Sequence, residues 1–309
     1  MPRLNDKYEA GLVGDMKTAT RRVHSISDAL VNSKLVVALT SKELYGKALA
    51  CFWPVFDAIE RKLQFHLDVP EIRPFGNLLD CMRRSERMQE DLDYYLGPKW
   101  YERAYQSVSL QKYLQHLDRV ESQDPALLLV YSFHMHMAIC AGGSIIRRMV
   151  RKALELPPSV GTRTFEFDRD GSYLSSLKRD YKAAMNQLGE TRGSQFAKTA
   201  VEESTTLFKL NNSVVNDFRI TSYEVVRGMM IGFAQAVCNL CSFISMPYTA
   251  YAMIAAVAAC VMAVAAVQGS SGGSDMFTIA LLIMVGSTLG FAGVGAWFVW
   301  KHWQSLPQG

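Results

Sequence analysis

The chain has 309 residues, enough for one or two domains, and a formal net charge of +4. All but one of its 33 basic and all but one of its 29 acidic side chains lie in residues 1–227, and none lies between Gly228 and Ser274. The mild basic excess of the front part suits an anionic ligand or an anionic lipid surface and falls far short of a nucleic-acid-binding signature.

Pro2 to Thr18 is polar and mixed in charge, with no apolar run of the kind that marks a secretory signal. From there to residue 227 apolar residues recur at helical spacing, and alternating β-branched runs are few. Met16 to His24 reads as helix and runs on toward Leu35. Thr40-Ser41-Lys42-Glu43 offers an N-cap ahead of a helical run from Leu44 to Leu63, interrupted by Pro54. Pro70 to Pro74 reads as a loop. Asn77 to Tyr95 reads as one helix ended by Gly97-Pro98. Ser109 to Arg119 is the next. Pro125 to Leu156 is a long one, containing Gly142-Gly143 and stopped by Pro157 and Pro158. Thr162 to Asp170 is irregular. Leu174 to Gly189 and Gly193 to about Arg219 complete an all-α domain over residues 1–227.

The remainder is different in kind. Residues 228–247 form an apolar connecting segment. Tyr248 to Gln268 and Met276 to Trp300 are uncharged except at their flanks, and each is long enough to cross a bilayer core of about 30 Å. A Gly- and Ser-rich turn separates them, and Tyr248, Tyr251, Trp297 and Trp300 stand where aromatic rings favour the interface. Arg227 before and Lys301 after the apolar region belong on the same, cytosolic, side, which two spans satisfy. A transmembrane hairpin over 248–300 with a short polar tail at 301–309 is the expectation. The six cysteines are scattered; Cys238 and Cys241 have the spacing of half a zinc site with no second pair, which reads as reduced thiols in an apolar segment.

Three blocks carry a family resemblance: Met16-Lys17-Thr18-Ala19-Thr20-Arg21-Arg22-Val23-His24; Tyr94-Tyr95-Leu96-Gly97-Pro98-Lys99-Trp100; and the run from Pro125 through Gly142-Gly143 to Pro157. Weaker matches follow at Phe165-Glu166-Phe167, at Leu177 to Asn186 and at Phe208-Lys209-Leu210-Asn211. In order and spacing, over about residues 10–220, the chain resembles heme oxygenases, a family in which a hydrophobic C-terminal anchor is also common.

By itself a histidine on a helix is more often a satisfied side chain than a ligand. The resemblance makes His24 the proximal ligand to heme iron, with Asp28, four residues on and on the same helical face, placed to orient its ring. It also implies that Lys17, Arg21, Lys178 and Lys182 meet the two heme propionates; by spacing alone these pairs would read as a solvated face. On the opposite, distal face, Gly142 and Gly143 match a glycine pair that lets backbone approach the porphyrin.

The same helix departs from the family. A family glycine is replaced by Ala138, a family aspartate that holds a distal water network by Ile139, and an arginine four residues earlier by Met135. A family tyrosine is matched by Phe56. Asn211 is the remaining polar match near that side. His134 and His136 stand beside the altered patch; at i and i+2 they point to different faces, so at most one approaches the iron. The plainer reading sends both toward a loop or the domain surface. Cys140 is a softer candidate of the same kind.

Three functions stay open at this level. The resemblance implies a heme oxygenase that takes oxygen and electrons from an NADPH-dependent reductase and yields biliverdin, ferrous iron and carbon monoxide. The altered distal face points instead to a membrane-tethered heme sensor, buffer or carrier. A heme-free helical scaffold would make His24 incidental. The endoplasmic reticulum, with the helical domain in the cytosol, is the membrane the resemblance implies.

Overall fold

Ser41 and Ser107 each place a hydroxyl one residue ahead of a helical run, and each caps it: Ser41 Oγ accepts from Leu44 N at 3.4 Å and Ser107 Oγ from Leu110 N at 2.9 Å. In the computed structural model, which describes residues 10–103, 107–167, 171–221 and 224, the helices are α1 (Leu12–Ala38), α2 (Lys42–Ala50), α3 (Trp53–Phe65), α4 (Gly76–Met82), α5 (Ser85–Leu96), α6 (Val108–Gln123), α7 (Leu128–Ala153) and α8 (Gly171–Asp217). Short 3-10 turns join several of them, and the described residues contain no strand. The connecting segment, the expected hairpin, the polar tail and Cys238 and Cys241 lie outside the described residues.

Two boundaries differ from the sequence reading, both for tertiary reasons. Asn77 to Tyr95 is not one helix. Arg83, at φ −50° and ψ 130°, leaves the helical region and separates α4 from α5. The new helix start is capped from a distance: the Glu60 carboxylate on α3 accepts Arg84 N at 2.7 Å, Ser85 N at 3.1 Å and Ser85 Oγ at 2.5 Å. A remote carboxylate thus satisfies the orphan donors that a local Ser or Asp normally takes. The second helical run from Pro125 opens as a 3-10 turn over Pro125–Leu127, because Asp124 accepts Ala126 N at 3.0 Å and Pro125 sits at the first position. The two expected helices after Gly171 are the halves of α8, which meet at Gly193 (φ 77°, ψ −174°), a backbone conformation that glycine adopts without a Cβ clash.

α7 is the core helix. Leu128, Leu129, Val130 and Tyr131 have no exposed surface, and α7 packs against α3, α6 and α8. Burying each such aliphatic side chain contributes about 1.5–3 kcal/mol. By length and hydropathy Pro125–Ala153 could cross a membrane, but 67% of its most apolar window is buried inside the helical domain.

α1 and α8 make the largest interface. A Cβ at Gly189 would stand 2.8 Å from Leu12 Cβ, so only glycine allows this approach. Val13 N donates to Asn186 Oδ1 at 2.9 Å, Ser27 Oγ lies 2.6 Å from Asn212 Oδ1, and Lys34 Nζ donates to the Val215 and Phe218 carbonyls at 2.5 and 2.7 Å. The lysine thereby neutralises the C-terminal end of α8. α8 also packs on α7, whereas α1 and α7 scarcely touch each other. The result is two helices held on a third with little packing between them, and the gap between α1 and α7 is the slot.

Candidate functional site

His24 sits on α1 at the edge of that slot. Its side chain is 53% exposed, and Nδ1 stands 3.0 Å from Asp28 Oδ2. The pairing follows from the i, i+4 register expected from the sequence. A carboxylate beside Nδ1 holds the proton there and leaves Nε2 with its lone pair outward, the form an iron ligand requires.

Phe208 of α8 forms the floor. Its ring meets His24 edge-on, with centroids 5.1 Å apart, and also meets His134 of α7 edge-on, at 5.3 Å. Phe208 thus brings a histidine of α1 and a histidine of α7 to one ring of α8. His134 Nε2 stands 2.9 Å from Ser204 Oγ, and that hydroxyl donates to the Ala200 carbonyl at 2.8 Å. Ser204 has one proton and has given it away, so His134 Nε2 is the donor in their bond and Nδ1 carries the bare lone pair. Burial, with a smaller contribution from the neighbouring His24, pushes the pKa of His134 down to about 4.

The two histidines of α7 separate, as their spacing requires, but neither goes to a loop or to the open surface, which corrects that reading. His136 is 2% exposed. Its Nε2 donates to Glu60 Oε1 at 2.9 Å, its Nδ1 lies 2.8 Å from the Ser132 carbonyl, and its ring edge meets Phe56 at 5.4 Å. Burial works against the charge of Glu60, yet hydrogen bonds from His136, Ser85 and the Arg84 backbone hold its carboxyl below the usual range. His136, Glu60 and Phe56 are a core assembly that sets the start of α5.

The glycine pair also divides its work. A Cβ built on Gly142 meets nothing within 4 Å, so this glycine opens on empty space. A Cβ on Gly143 would come to 3.3 Å from Phe165, so its task is packing against the turn before α8. Ala138, one turn before Gly142, is exposed, as is Ile145, one turn after it by helical spacing. His134, Ala138, Gly142 and Ile145 form one row on α7 along the slot. Ile139 is half-buried and packs on the core, and Met135 is 7% exposed. Cys140 is buried, its Sγ 3.4 Å from Met82 Sδ, and its pKa is pushed up to about 11, chiefly by burial.

Asn211, predicted as the remaining polar group, is there: Nδ2 lies 3.4 Å from Met135 Sδ, while Oδ1 is buried with no hydrogen-bond partner among the described residues. The buried Tyr113 hydroxyl is likewise without a partner among the described residues. The Val13–Asn186 hydrogen bond ties the first turn of α1, one turn before Lys17, to a residue of α8 one turn after Lys182. Lys17 and Arg21 are exposed, and Lys178 and Lys182 are half-buried.

Three contributors were not legible as such. Phe208 belonged to a quoted match without a role, and Ser204 and Glu60 carry no local signal. Each acts through a partner on another helix.

A porphyrin fits these residues. α7 carries a row with empty space at Gly142, α1 an oriented imidazole, and both α1 and α8 carry basic side chains. Comparisons with known proteins agree. The profile of the family described as heme oxygenase matches residues 10–217. The heme oxygenase of Rhodella violacea is 22% identical over 231 residues, 74% of this chain and 96% of that protein. Heme oxygenase 2 from Chlamydomonas reinhardtii, crystallised without heme, superposes with a TM-score of 0.66 at 29% identity, covering 69% of this chain and 99% of that one. Heme oxygenase-1 from Synechocystis, solved in complex with heme, gives 0.62 at 22% identity, covering 74% and 100%.

Proposed function

The chain belongs to the heme oxygenase family, and from that premise we propose that it binds heme through His24 and cleaves it slowly, because its distal face no longer delivers protons. The observation that carries this reading is the oriented, half-exposed His24 at the edge of a slot whose opposite wall is Ala138, Ile139 and Gly142.

When bound, heme supplies the iron that activates oxygen and the ring that is cut, to biliverdin, ferrous iron and carbon monoxide. His24 Nε2 would hold the iron, with Asp28 keeping the proton on Nδ1. Lys17, Arg21, Lys178 and Lys182 would pair with the propionates. Ala138 and Gly142 would leave room for a porphyrin beside α7. Met135 and Ile139 exclude water and donate no hydrogen bond, which leaves Asn211 as the polar group of that side. Loss of a general acid and its water costs about 100-fold or more in rate.

A second reading is favoured by the same substitutions: a heme sensor, buffer or carrier without ring cleavage. In either, residues 248–300 tether the domain to a membrane, the endoplasmic reticulum with the domain in the cytosol; in the first, an NADPH-dependent reductase supplies electrons. An absorption titration of the full chain with hemin, followed by reductase and NADPH, tests this. A Soret band that vanishes in His24→Ala and decays slowly to biliverdin is expected. A His24-dependent band that never decays selects the second reading, and no band at all sinks both.

A further inference from the structure

We propose that His134 is the second axial ligand to the heme iron, so that the resting complex is six-coordinate with one histidine from α1 and one from α7. This rests on the heme-binding reading above.

Position comes first. His24 of α1 and His134 of α7 meet the same Phe208 ring edge-on, at 5.1 and 5.3 Å, which gathers two imidazoles from different helices around one side chain. His134 stands on the α7 row that continues through Ala138 to Gly142, where the slot is open.

Chemistry comes second. A ligating imidazole needs one bare nitrogen and a partner on the other nitrogen to fix its tautomer and orientation. Both histidines have that arrangement, in mirror form. Asp28 lies on Nδ1 of His24 and leaves Nε2 for the metal. Ser204, with its own proton committed to the Ala200 carbonyl, takes the Nε2 proton of His134 and leaves Nδ1.

Rivals come third. His136 has both ring nitrogens engaged, by Glu60 and Ser132, inside the core. Cys140 is buried against Met82. Met135 is the competitor with a donor atom, and its sulfur is in contact with Asn211. The residues that in the family hold a distal water are Ile139 and Met135 here, so little competes with a nitrogen ligand for the sixth position. Oxygen would then have to displace His134, a further brake on ring cleavage.

The test uses the full chain loaded with ferric heme and read by absorption and electron paramagnetic resonance, without turnover. A low-spin, bis-imidazole spectrum is expected. His134→Ala should convert it to high spin and strengthen cyanide or imidazole binding at least about tenfold, as the competing ligand is removed. His134→Gln, which keeps a donor for Ser204 and hence the packing, should do the same, so a folding defect in the alanine variant leaves the question decidable. Met135→Leu should leave the spectrum unchanged. A high-spin wild-type complex overturns the proposal, as does a low-spin spectrum that survives both His134 variants or that is lost in Met135→Leu. Absence of any Soret band instead overturns the heme-binding reading itself.

Discussion

The two walls of the slot have been treated differently. On α1, the proposed ligand His24 and its partner Asp28 stand 3.0 Å apart, with Lys17 and Arg21 on the same helix. On α7 the helix backbone that approaches the porphyrin is kept, with Ala138 and Gly142, while the groups that would act on bound oxygen are apolar. The His24–Asp28 pair and the substituted positions 135, 138 and 139 therefore lie on different helices. A protein can lose the polar side chains of one wall without loss of the fold, because Met135 and Ile139 simply extend the core.

The comparison can be broken first at the proximal wall. His24→Ala removes the iron ligand and should weaken hemin binding by at least about 100-fold, read from the Soret titration. If affinity falls less than tenfold, α1 is not the binding wall.

Next in size is the assembly behind the distal wall. Glu60→Ala leaves Arg84 N, Ser85 N and His136 Nε2 without their acceptor and should destabilise the domain by about 3 kcal/mol in urea unfolding. Its pH dependence has a definite sign. The folded carboxyl is held below its ordinary value, so its contribution is fully present above about pH 4.3, the unfolded value, and is lost as the pH falls below that toward the folded pKa. The glutamate variant should lose that part of the acid sensitivity. An unchanged acid limb would show that Glu60 does not anchor α5.

The distal wall itself can be rebuilt. Ile139→Asp together with Met135→Arg should raise the rate of biliverdin formation at least about tenfold, while hydrogen-peroxide turnover on small phenols, favoured when no distal acid steers oxygen to the ring, should fall. A rate that does not move would mean that the slow step lies elsewhere.

The smallest effect separates the two glycines. Gly142→Ala projects into open space and should change unfolding free energy by less than about 0.5 kcal/mol, while weakening hemin binding a few-fold. Gly143→Ala presses on Phe165 at 3.3 Å and should cost about 1–3 kcal/mol in stability.

Much of the helical order was legible because period and caps are local: Ser41, Gly97 and Pro157 mark their boundaries without help from the fold. His24 and Asp28 were legible for the same reason, since i, i+4 register sets their contact within a single helix. The family resemblance, not the spacing, singled them out from other such pairs.

What the sequence alone determined is thus most of the helices, the His24–Asp28 contact, the apolar character of residues 135 and 139 and the uncharged tail. What only the tertiary structure decided is where one helix depends on another. The break between α4 and α5 exists because Glu60 supplies a cap from α3, and the unlike fates of His134 and His136 follow from Ser204 and Glu60, 70 and 76 residues away. Phe208 unites His24 with His134 across three helices. Local pattern reports the energy a residue gains from its own turn of helix; it carries no trace of the distant partner that satisfies a buried hydrogen bond, and at this site those partners define the geometry.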